Sequence, residues 1–186
     1  MAGDRGTPDI VQFNVPDLEG LTAVERAFAV ATADGTNEDQ LVHLSNLLRR
    51  VREAFHMDVV FVSEFVGLRR VFRHVSARKA DANLIHEGES EPLEQTYCAA
   101  IVEGRLPRAI RNARAIPEAR RLKATERLAI GSHLAVPIVL RDGKVYGTIC
   151  CFSHGVREEL GEKHVEQLQA VARLVAQALE RKAETH

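Results

Sequence analysis

The chain of 186 residues has a formal net charge of −1, with 27% charged and 45% hydrophobic residues. This balance gives no electrostatic reason to expect nucleic acid or a membrane surface as a partner. One domain around one core is the default at this length. The first residues lack the apolar run of a secretory signal, and three cysteines, two of them adjacent, are typical of a reducing compartment. We therefore expect a cytoplasmic protein.

The sequence divides into an arm, a helix and a folded domain. Residues 1–19 contain Gly, Pro and Asp without periodicity, which predicts a flexible N-terminal arm. Residues 20–35 are predicted to form an N-terminal helix that Asp34-Gly35 ends. Residues 36–183 are predicted to form the domain, which begins with a second helix. Its apolar face comprises Leu41, Leu44, Leu48, Val51 and Phe55.

A hairpin and a loop follow the second helix. Residues 58–77 change abruptly to β-branched and aromatic side chains, which predicts two strands with Gly67 at their turn. Residues 76–91 are polar with scattered charges, so we expect a long mobile loop there. The loop separates the first hairpin from the middle of the chain.

Short elements are predicted in the middle of the chain. Pro92 suits the first position of a helix, and Gly104 is expected to end that helix. A short strand is predicted within residues 106–113, at a sheet edge because of its proline. Pro117 opens a basic segment with weak helical character.

The segment from Gly131 to His154 predicts a second hairpin, with Asp142-Gly143 as a type I′ turn. Both of its strands are apolar on both faces, which indicates central strands covered on both sides. The strand residues expected in the core are Val136, Ile138, Ile149 and Cys151. A long amphipathic helix is predicted over residues 160–182. Helices at both ends of a mostly antiparallel sheet indicate an α+β fold.

Two segments carry a resemblance to the GAF domain family. The closing hairpin contains Ala-Val-Pro-Ile, then Asp-Gly, then Tyr-Gly-Thr, and it resembles the last hairpin of a GAF domain. Residues 92–120 are similar to GAF domains of bacterial signalling proteins, many of which are coupled to cyclic di-GMP turnover. The resemblance covers about residues 37–182 and implies a central antiparallel sheet of about six strands. Terminal helices would cover one face, and short helices and loops would enclose a ligand pocket on the other.

The resemblance implies a ligand site between the helix that begins near Tyr97 and the inner face of the hairpin. The predicted ligand-binding residues are Tyr97, Cys98, Ile101, Ile110, Arg111, Arg121, His133 and Cys150. Arg111 is the first choice among the arginines of the pocket rim, because a guanidinium suits a carboxylate or phosphate. Solvated surface charge explains most of these arginines equally well.

The cysteines are interpreted mainly as structural. Cys98 lies near a predicted helix start, where a thiol can be reactive, but Glu91 and Glu94 argue against a thiolate. A small buried side chain is the favoured interpretation. Cys150 and Cys151 are adjacent on a strand and therefore point to opposite faces. Neither is expected to be well placed to form a disulfide with Cys98.

Motifs for metals and for catalysis are missing from the sequence. Its eight histidines show no HExxH spacing and its cysteines no CxxC, so no metal site is predicted. No P-loop, dinucleotide fingerprint or nucleophile elbow occurs. The cofactor is left open, although a bilin is not expected, because Cys98-Ala99 stands where bilin-binding GAF domains have a Cys-His pair or similar. For His133, a hydrogen-bonded sheet residue is favoured over a ligand contact.

Three functions are compatible with the sequence. The favoured one is a non-catalytic sensor of bacterial signal transduction that binds a small or anionic molecule. One GAF-fold family reduces free methionine-R-sulfoxide, and Cys98 would then be the nucleophile. The third function is a ligand-free dimerisation module with a collapsed pocket.

The helices at the two ends of the chain predict a homodimer. The last helix has a wider apolar stripe than docking on a sheet requires, and Leu174 and Ala178 supply the surplus. The stripe of the N-terminal helix has no obvious surface to cover within one chain. Pairing the terminal helices of two copies would bury the apolar surface that each of these helices leaves uncovered. A signalling output domain is a further expected partner.

Overall fold

A computed structural model describes residues 37–184. Helix α1 (Asn37–Ala54) and helix α5 (Glu162–Glu184) stand at the two ends. The short helices between them are α2 (Tyr97–Val102), α3 (Pro117–Arg121) and α4 (Lys123–Arg127). The predicted arm at residues 1–19 and the predicted N-terminal helix at residues 20–35 lie outside the described residues.

One antiparallel sheet forms the centre of the fold. Its strands are β1 (Val59–Val66), β2 (Arg69–Ala77), β3 (Ser90–Pro92), β4 (Ala109–Ile110), β5 (Ser132–Val139) and β6 (Val145–Ser153). Their order across the sheet is β3-β2-β1-β6-β5-β4. The predicted α+β fold with about six strands is confirmed, and the short strand predicted within residues 106–113 lies at an edge of the sheet.

Because successive side chains of a strand point to opposite faces, the sheet has a separate hydrophobic core on each face. Helices α1 and α5 cover one face, where the four strand residues predicted for the core are fully buried: Val136, Ile138, Ile149 and Cys151. The opposite face is covered by α2, α3, α4 and their loops, and it includes Cys150. Cys150 and Cys151 therefore point to opposite faces, as predicted. We call this second face of the sheet, which lies beneath α2 and includes Cys150, the covered face.

The turn of the second hairpin differs from the prediction. A type I′ turn needs positive φ at both central residues. Gly143 has a φ of 82°, but the described non-glycine residues with positive φ are His56 and Ala129, so Asp142 does not qualify. Residues 140–144 form a wider loop, in which Asp142 Oδ1 accepts a hydrogen bond of 2.9 Å from the Lys144 amide. The prediction of a two-residue type I′ turn is therefore wrong.

The helix predicted from Pro92 begins later than expected. Pro92 ends strand β3, and the first residue of α2 follows Thr96, whose Oγ1 accepts a hydrogen bond from the Ala99 amide at 3.1 Å. Gly104 lies just beyond the helix with a φ of 74°, in agreement with the prediction. Strand β3 was not predicted, because its three residues are polar or proline and pair only with the start of β2.

Strands β1 and β6 approach each other closely at Gly147. A Cβ at this position would lie 1.9 Å from the Ser63 carbonyl oxygen and 2.9 Å from Glu64 Cα. The pairing of β1 with β2 has an irregularity between Val62 and Ser63, next to this contact. The glycine of the Tyr-Gly-Thr motif is therefore required by the backbone of the neighbouring strand.

Ion pairs attach the loop after β2 to the end of β6. Arg78 Nε lies 2.9 Å from Asp58 Oδ1 and 2.9 Å from Asp81 Oδ2. His154 Nε2 lies 3.0 Å from Asp81 Oδ1, and its Nδ1 lies 3.1 Å from the Ala129 carbonyl oxygen. Both ring nitrogens therefore face acceptors, which favours the doubly protonated imidazolium.

The pKa values of this cluster shift in opposite directions. Partial burial opposes the charge of His154, but its hydrogen bonds to Asp81 and the Ala129 carbonyl raise the pKa of His154 above its ordinary value. Burial also opposes ionisation of Asp81, but hydrogen bonds from His154 and Arg78 lower the pKa of that carboxyl. The pair is charged at mildly acidic pH.

We predict that Gly147→Ala lowers the free energy of unfolding by more than about 3 kcal/mol, because the methyl group must displace backbone atoms. Gly143→Ala is the matched control, since open space surrounds it and only its positive φ opposes the substitution. That control should cost about 1 to 2 kcal/mol. Urea denaturation of both variants measures the difference, and equal losses would contradict the close approach.

We also predict that His154→Gln destabilises the protein more at pH 5.5 than at pH 8.5. Because the pKa of His154 is higher in the folded than in the unfolded state, the ion pair stabilises the folded protein fully below the unfolded pKa of about 6.5. This stabilisation is lost as the pH rises through the folded-state pKa. The lowered pKa of Asp81 keeps its carboxylate charged at both pH values. Exposed His86 provides the control, and His86→Gln should change the free energy of unfolding little. A His154→Gln effect independent of pH would contradict this ion pair.

Candidate functional site

A group of buried polar side chains lies on the covered face, within an otherwise apolar layer. It combines residues of β1, β2, α2 and β6, each at most 3% exposed. We call it the Arg70 cluster, and its members are Ser63, Arg70, Cys98, Thr148 and Cys150. Buried polar groups need compensating partners, so their arrangement is informative about what the face can bind.

Arg70 places a positive charge inside this layer. Its guanidinium carbon lies 4.3 Å from the centroid of the Phe72 ring and 5.2 Å from that of Phe61, in cation–π contact. One terminal nitrogen lies 2.9 Å from Glu91 Oε1, and the other lies 3.2 Å from Cys98 Sγ. Arg70 Nε is buried and has no hydrogen-bond partner within residues 37–184. Both terminal nitrogens of the guanidinium therefore have a partner, but Nε has none among the described residues.

The sulfur of Cys98 lies at the centre of the cluster. It is 3.4 Å from Cys150 Sγ and 3.8 Å from Ser63 Oγ. Thr148 Oγ1 completes the arrangement, at 2.9 Å from Ser63 Oγ and 3.2 Å from Cys150 Sγ. The two sulfurs are therefore in direct contact although their residues are 52 positions apart.

The two thiols differ in acidity. Burial alone would raise the pKa of Cys98, but the hydrogen bond from Cys150 and the charge of Arg70 lower it well below the ordinary range. Burial and the neighbouring Cys98 sulfur raise the pKa of Cys150. Cys98 is therefore the more acidic of the two thiols, and once it is ionised the Cys150 thiol is the donor in the hydrogen bond between the two sulfurs.

This geometry corrects two expectations about the cysteines. Glu91 was expected to disfavour a thiolate at Cys98, yet its carboxylate pairs with Arg70, which itself contacts the sulfur. Cys150 was expected to be poorly placed to form a disulfide with Cys98, yet the two sulfurs are adjacent. Both expectations were wrong because sequence distance does not show which side chains share the covered face.

Tyr97 and His133 form a stacked pair beside the cluster. Their ring centroids are 4.3 Å apart at an interplanar angle of 21°. The Tyr97 hydroxyl donates to Thr125 Oγ1, which in turn donates to the Ala119 carbonyl oxygen. Burial, together with the charge of Arg70, lowers the pKa of His133 to about 3, so this ring is neutral. His133 Nδ1 is buried without a hydrogen-bond partner in the described part of the chain, which departs from the hydrogen-bonded histidine favoured above.

The eight predicted site residues fall into two groups. Six are buried on the covered face: Tyr97, Cys98, Ile101, Ile110, His133 and Cys150. Arg111 and Arg121 are exposed. Arg111 Nε donates a hydrogen bond of 2.7 Å to the Leu160 carbonyl oxygen, beside a cavity of about 600 Å³ between β4 and the start of α5. The structure therefore does not bring these two arginines to the Arg70 cluster.

The sequence prediction missed Arg70. A weak signal was present, because residues two apart on a strand share a face, and Phe72 is a large aromatic side chain. However, Val71 is also apolar, so the alternation does not decide whether Arg70 or the neighbouring Arg69 points inward. The contacts with Cys98 and Glu91 distinguish the two arginines.

An open cavity of about 370 Å³ lies at the surface next to the cluster. Phe72 and Glu91 line it from the sheet side, and Lys123 and Arg127 line it from α4. Arg127 contacts Glu91 Oε1 at 2.8 Å, so one carboxylate joins the exposed Arg127 to the buried Arg70. Phe72 and Glu91 therefore line this cavity and also contact the buried guanidinium of Arg70.

Two further properties concern the described part of the chain. Within residues 37–184, no group of three or more His, Cys, Asp or Glu side chains is arranged to hold a metal ion. None of the described helices combines the length and the apolar character needed to span a bilayer.

Comparison with models of protein families assigns the chain to a family. The family model described as "GAF domain" matches residues 42–179, which is most of the sequence. The chain therefore belongs to the GAF domain family, whose members generally bind small molecules in signalling proteins. A search of curated protein sequences finds no match.

Solved structures show the same fold at low sequence identity. The phycocyanobilin-bound GAF domain of a cyanobacterial phytochrome has a TM-score of 0.71 at 13% identity, with 95% of this chain and 99% of that chain covered. The GAF domain of an Acinetobacter phosphoenolpyruvate-protein phosphotransferase has a TM-score of 0.68 at 16% identity, covering 91% and 98%. Free methionine-R-sulfoxide reductase of Neisseria meningitidis has a TM-score of 0.66 at 18% identity, covering 90% of both chains.

Proposed function

We propose that this chain is a non-catalytic GAF sensor of bacterial signal transduction that binds a small anionic molecule at Arg70. The observation that carries this proposal is a buried guanidinium whose Nε has no partner in the described residues. A buried donor without an acceptor costs free energy, and a ligand oxygen at this position would recover that loss. A carboxylate or phosphate also matches the charge and the planar geometry of a guanidinium.

The cavity of about 370 Å³ provides the route to Arg70. Glu91 now occupies the carboxylate position on the guanidinium, and its side chain is 21% exposed. A ligand anion that replaces Glu91 keeps the buried charge paired, so the exchange leaves no uncompensated cation. Arg127 and Lys123 at the mouth attract an anion, and Arg127 can retain Glu91 after the exchange.

The two faces of the sheet provide a path from the ligand to the terminal helices. Thr148 and Cys150 on the covered face alternate along β6 with Ile149 and Cys151, which pack in the core beneath α1 and α5. A shift of β6 on ligand binding would therefore change the packing of both helices. We propose that these helices also form a homodimer with the N-terminal helix and pass the signal to an output domain, such as one of cyclic di-GMP turnover, in the cytoplasm.

The reductase alternative has one supporting observation, the contact between Cys98 and Cys150. Both sulfurs are fully buried, and a sulfoxide would have to reach the Cys98 sulfur itself, whereas an anion at Arg70 would not. We therefore expect no turnover of free methionine-R-sulfoxide in a coupled assay. The ligand-free dimerisation module is less well supported, since it leaves the unpartnered Nε of Arg70 unexplained.

We predict that a small anion binds the reduced protein and loses at least about tenfold in affinity in Arg70→Met, because a charged hydrogen bond is removed. The probes are nitrate, phosphate, glutamate and cyclic nucleotides, measured by calorimetry and native mass spectrometry. Arg111→Ala is the control, because it removes a guanidinium outside the Arg70 cluster and should retain binding. Arg127→Ala should weaken binding less than Arg70→Met does.

Two outcomes would contradict this site. Binding lost in Arg111→Ala but retained in Arg70→Met would move the ligand to the cavity beside β4. The absence of binding by every probe would favour a ligand-free module. Thermal unfolding of each ligand-free variant separates lost binding from lost folding, and Arg127→Ala, at the surface, provides a second variant if Arg70→Met does not fold.

A further inference from the structure

The proposed ligand site leaves the contact between two sulfurs unexplained. Cys98 on α2 and Cys150 on β6 place their sulfur atoms 3.4 Å apart, and both side chains are fully buried. Arg70 contacts the Cys98 sulfur at 3.2 Å, and Thr148 Oγ1 lies 3.2 Å from the Cys150 sulfur. The third cysteine, Cys151, points into the opposite core.

This arrangement separates the roles of nucleophile and partner. Arg70 stabilises negative charge on Cys98, and the thiolate is the form of cysteine that attacks electrophiles. Cys150 retains its proton and lies within contact of the same sulfur. A thiolate next to a second thiol is the arrangement in which a sulfenic acid condenses rapidly to a disulfide.

We propose that Cys98 and Cys150 form a reversible disulfide when Cys98 reacts with a small hydroperoxide, so that the covered face is also a redox-responsive site. The inference is independent of the proposed anion, because it rests on the two sulfurs and Arg70 and needs no bound ligand. Oxidation of these cysteines would be a second signal, besides ligand binding, that acts on the same sheet.

The reaction balances in two steps. The Cys98 thiolate attacks the distal oxygen of the hydroperoxide, forming an S–O bond and breaking the O–O bond. The leaving alkoxide or hydroxide takes up a proton, and Cys98 becomes a sulfenic acid. The Cys150 sulfur then attacks the Cys98 sulfur, forming the S–S bond and breaking the S–O bond, and water leaves with the Cys150 proton. The two thiols lose two electrons, and the hydroperoxide gains them.

Burial limits the size of the oxidant. The sulfurs are fully buried, and Phe72 and Glu91, which line an open cavity, contact Arg70, which in turn contacts Cys98. Hydrogen peroxide can use this route more readily than a bulky hydroperoxide or an aromatic thiol reagent. We therefore assign small hydroperoxides as the class of oxidant.

Oxidation would change both the charge and the spacing of the cluster. The sulfurs must move from 3.4 Å to the bonding distance of about 2 Å, which draws α2 and β6 together. The negative charge of the thiolate is also lost, so Arg70 then depends on Glu91 alone for an anionic partner. The oxidised form should accordingly bind small anions differently from the reduced form.

The test treats the reduced wild-type chain with hydrogen peroxide and counts free thiols after denaturation. We expect two of the three thiols to be lost, with a mass decrease of two hydrogen atoms. A proteolytic peptide pair should join Cys98 to Cys150 and separate on reduction with dithiothreitol. Cys151→Ala should oxidise in the same way, because its sulfur faces the other core.

Two variants test the separate steps. Cys150→Ala should accumulate a sulfenic acid at Cys98 that dimedone labels, and Arg70→Met should react at least about tenfold more slowly. Three retained thiols in the wild type, a disulfide that contains Cys151, or a dimedone adduct on Cys150 would each overturn the proposal. The wild type and Cys151→Ala keep the test decisive if a cluster variant does not fold. Anion binding is measured on reduced protein, so failure of either proposal is seen separately.

Discussion

The charge of Arg70 has to be compensated inside the protein, because only 4% of its side chain is exposed. A buried guanidinium without partners is too costly to retain, so its neighbours have to provide negative charge and polarisable surface. Glu91, the rings of Phe61 and Phe72, and the sulfur of Cys98 do so from separate elements. One side chain of β2 therefore contacts both the edge strand β3 and helix α2.

Close backbone contact determines where the polar cluster can form. Gly147 allows β6 to approach β1 at Ser63, and this brings the Ser63 and Thr148 hydroxyls within 2.9 Å of each other. The same strand then presents Cys150 to Cys98 and, on its other face, Cys151 to the core beneath α1 and α5. A chemical change at the cluster therefore acts on a strand whose opposite face packs in the core beneath α1 and α5. This is the physical basis for coupling ligand or redox state to a signal.

The fold was predictable to a greater extent than the site. The β-branched and apolar runs of the two hairpins and the helical stripe from Leu44 to Phe55 are local features of the sequence, and both were predicted correctly. Strand β3 was missed because its three residues depend on pairing with Arg69 and Arg70 rather than on their own propensity. The type I′ turn was wrong because dipeptide preference does not fix loop length.

The site depended on contacts between distant residues. Six of its predicted members share the covered face, since strand period and the GAF resemblance both indicate that face. Arg111 was chosen among the arginines of the segment that resembles the pocket rim, yet its guanidinium donates to the Leu160 carbonyl, and Arg70 lies outside that segment. The pairing of Cys98 with Cys150 could not be predicted from spacing, because it joins a helix to a strand that is remote in sequence.

The central claim is that Arg70 stabilises a thiolate at Cys98 within the folded sheet. Carbon-13 NMR of protein labelled at the cysteine β-carbons follows ionisation of each thiol directly as the pH is changed. We predict that the Cys98 signal titrates well below the ordinary cysteine pKa of about 8.5, and that Arg70→Met moves this transition upward. A Cys98 signal that titrates at or above the ordinary value in the wild type, with no response to Arg70→Met, would contradict the account.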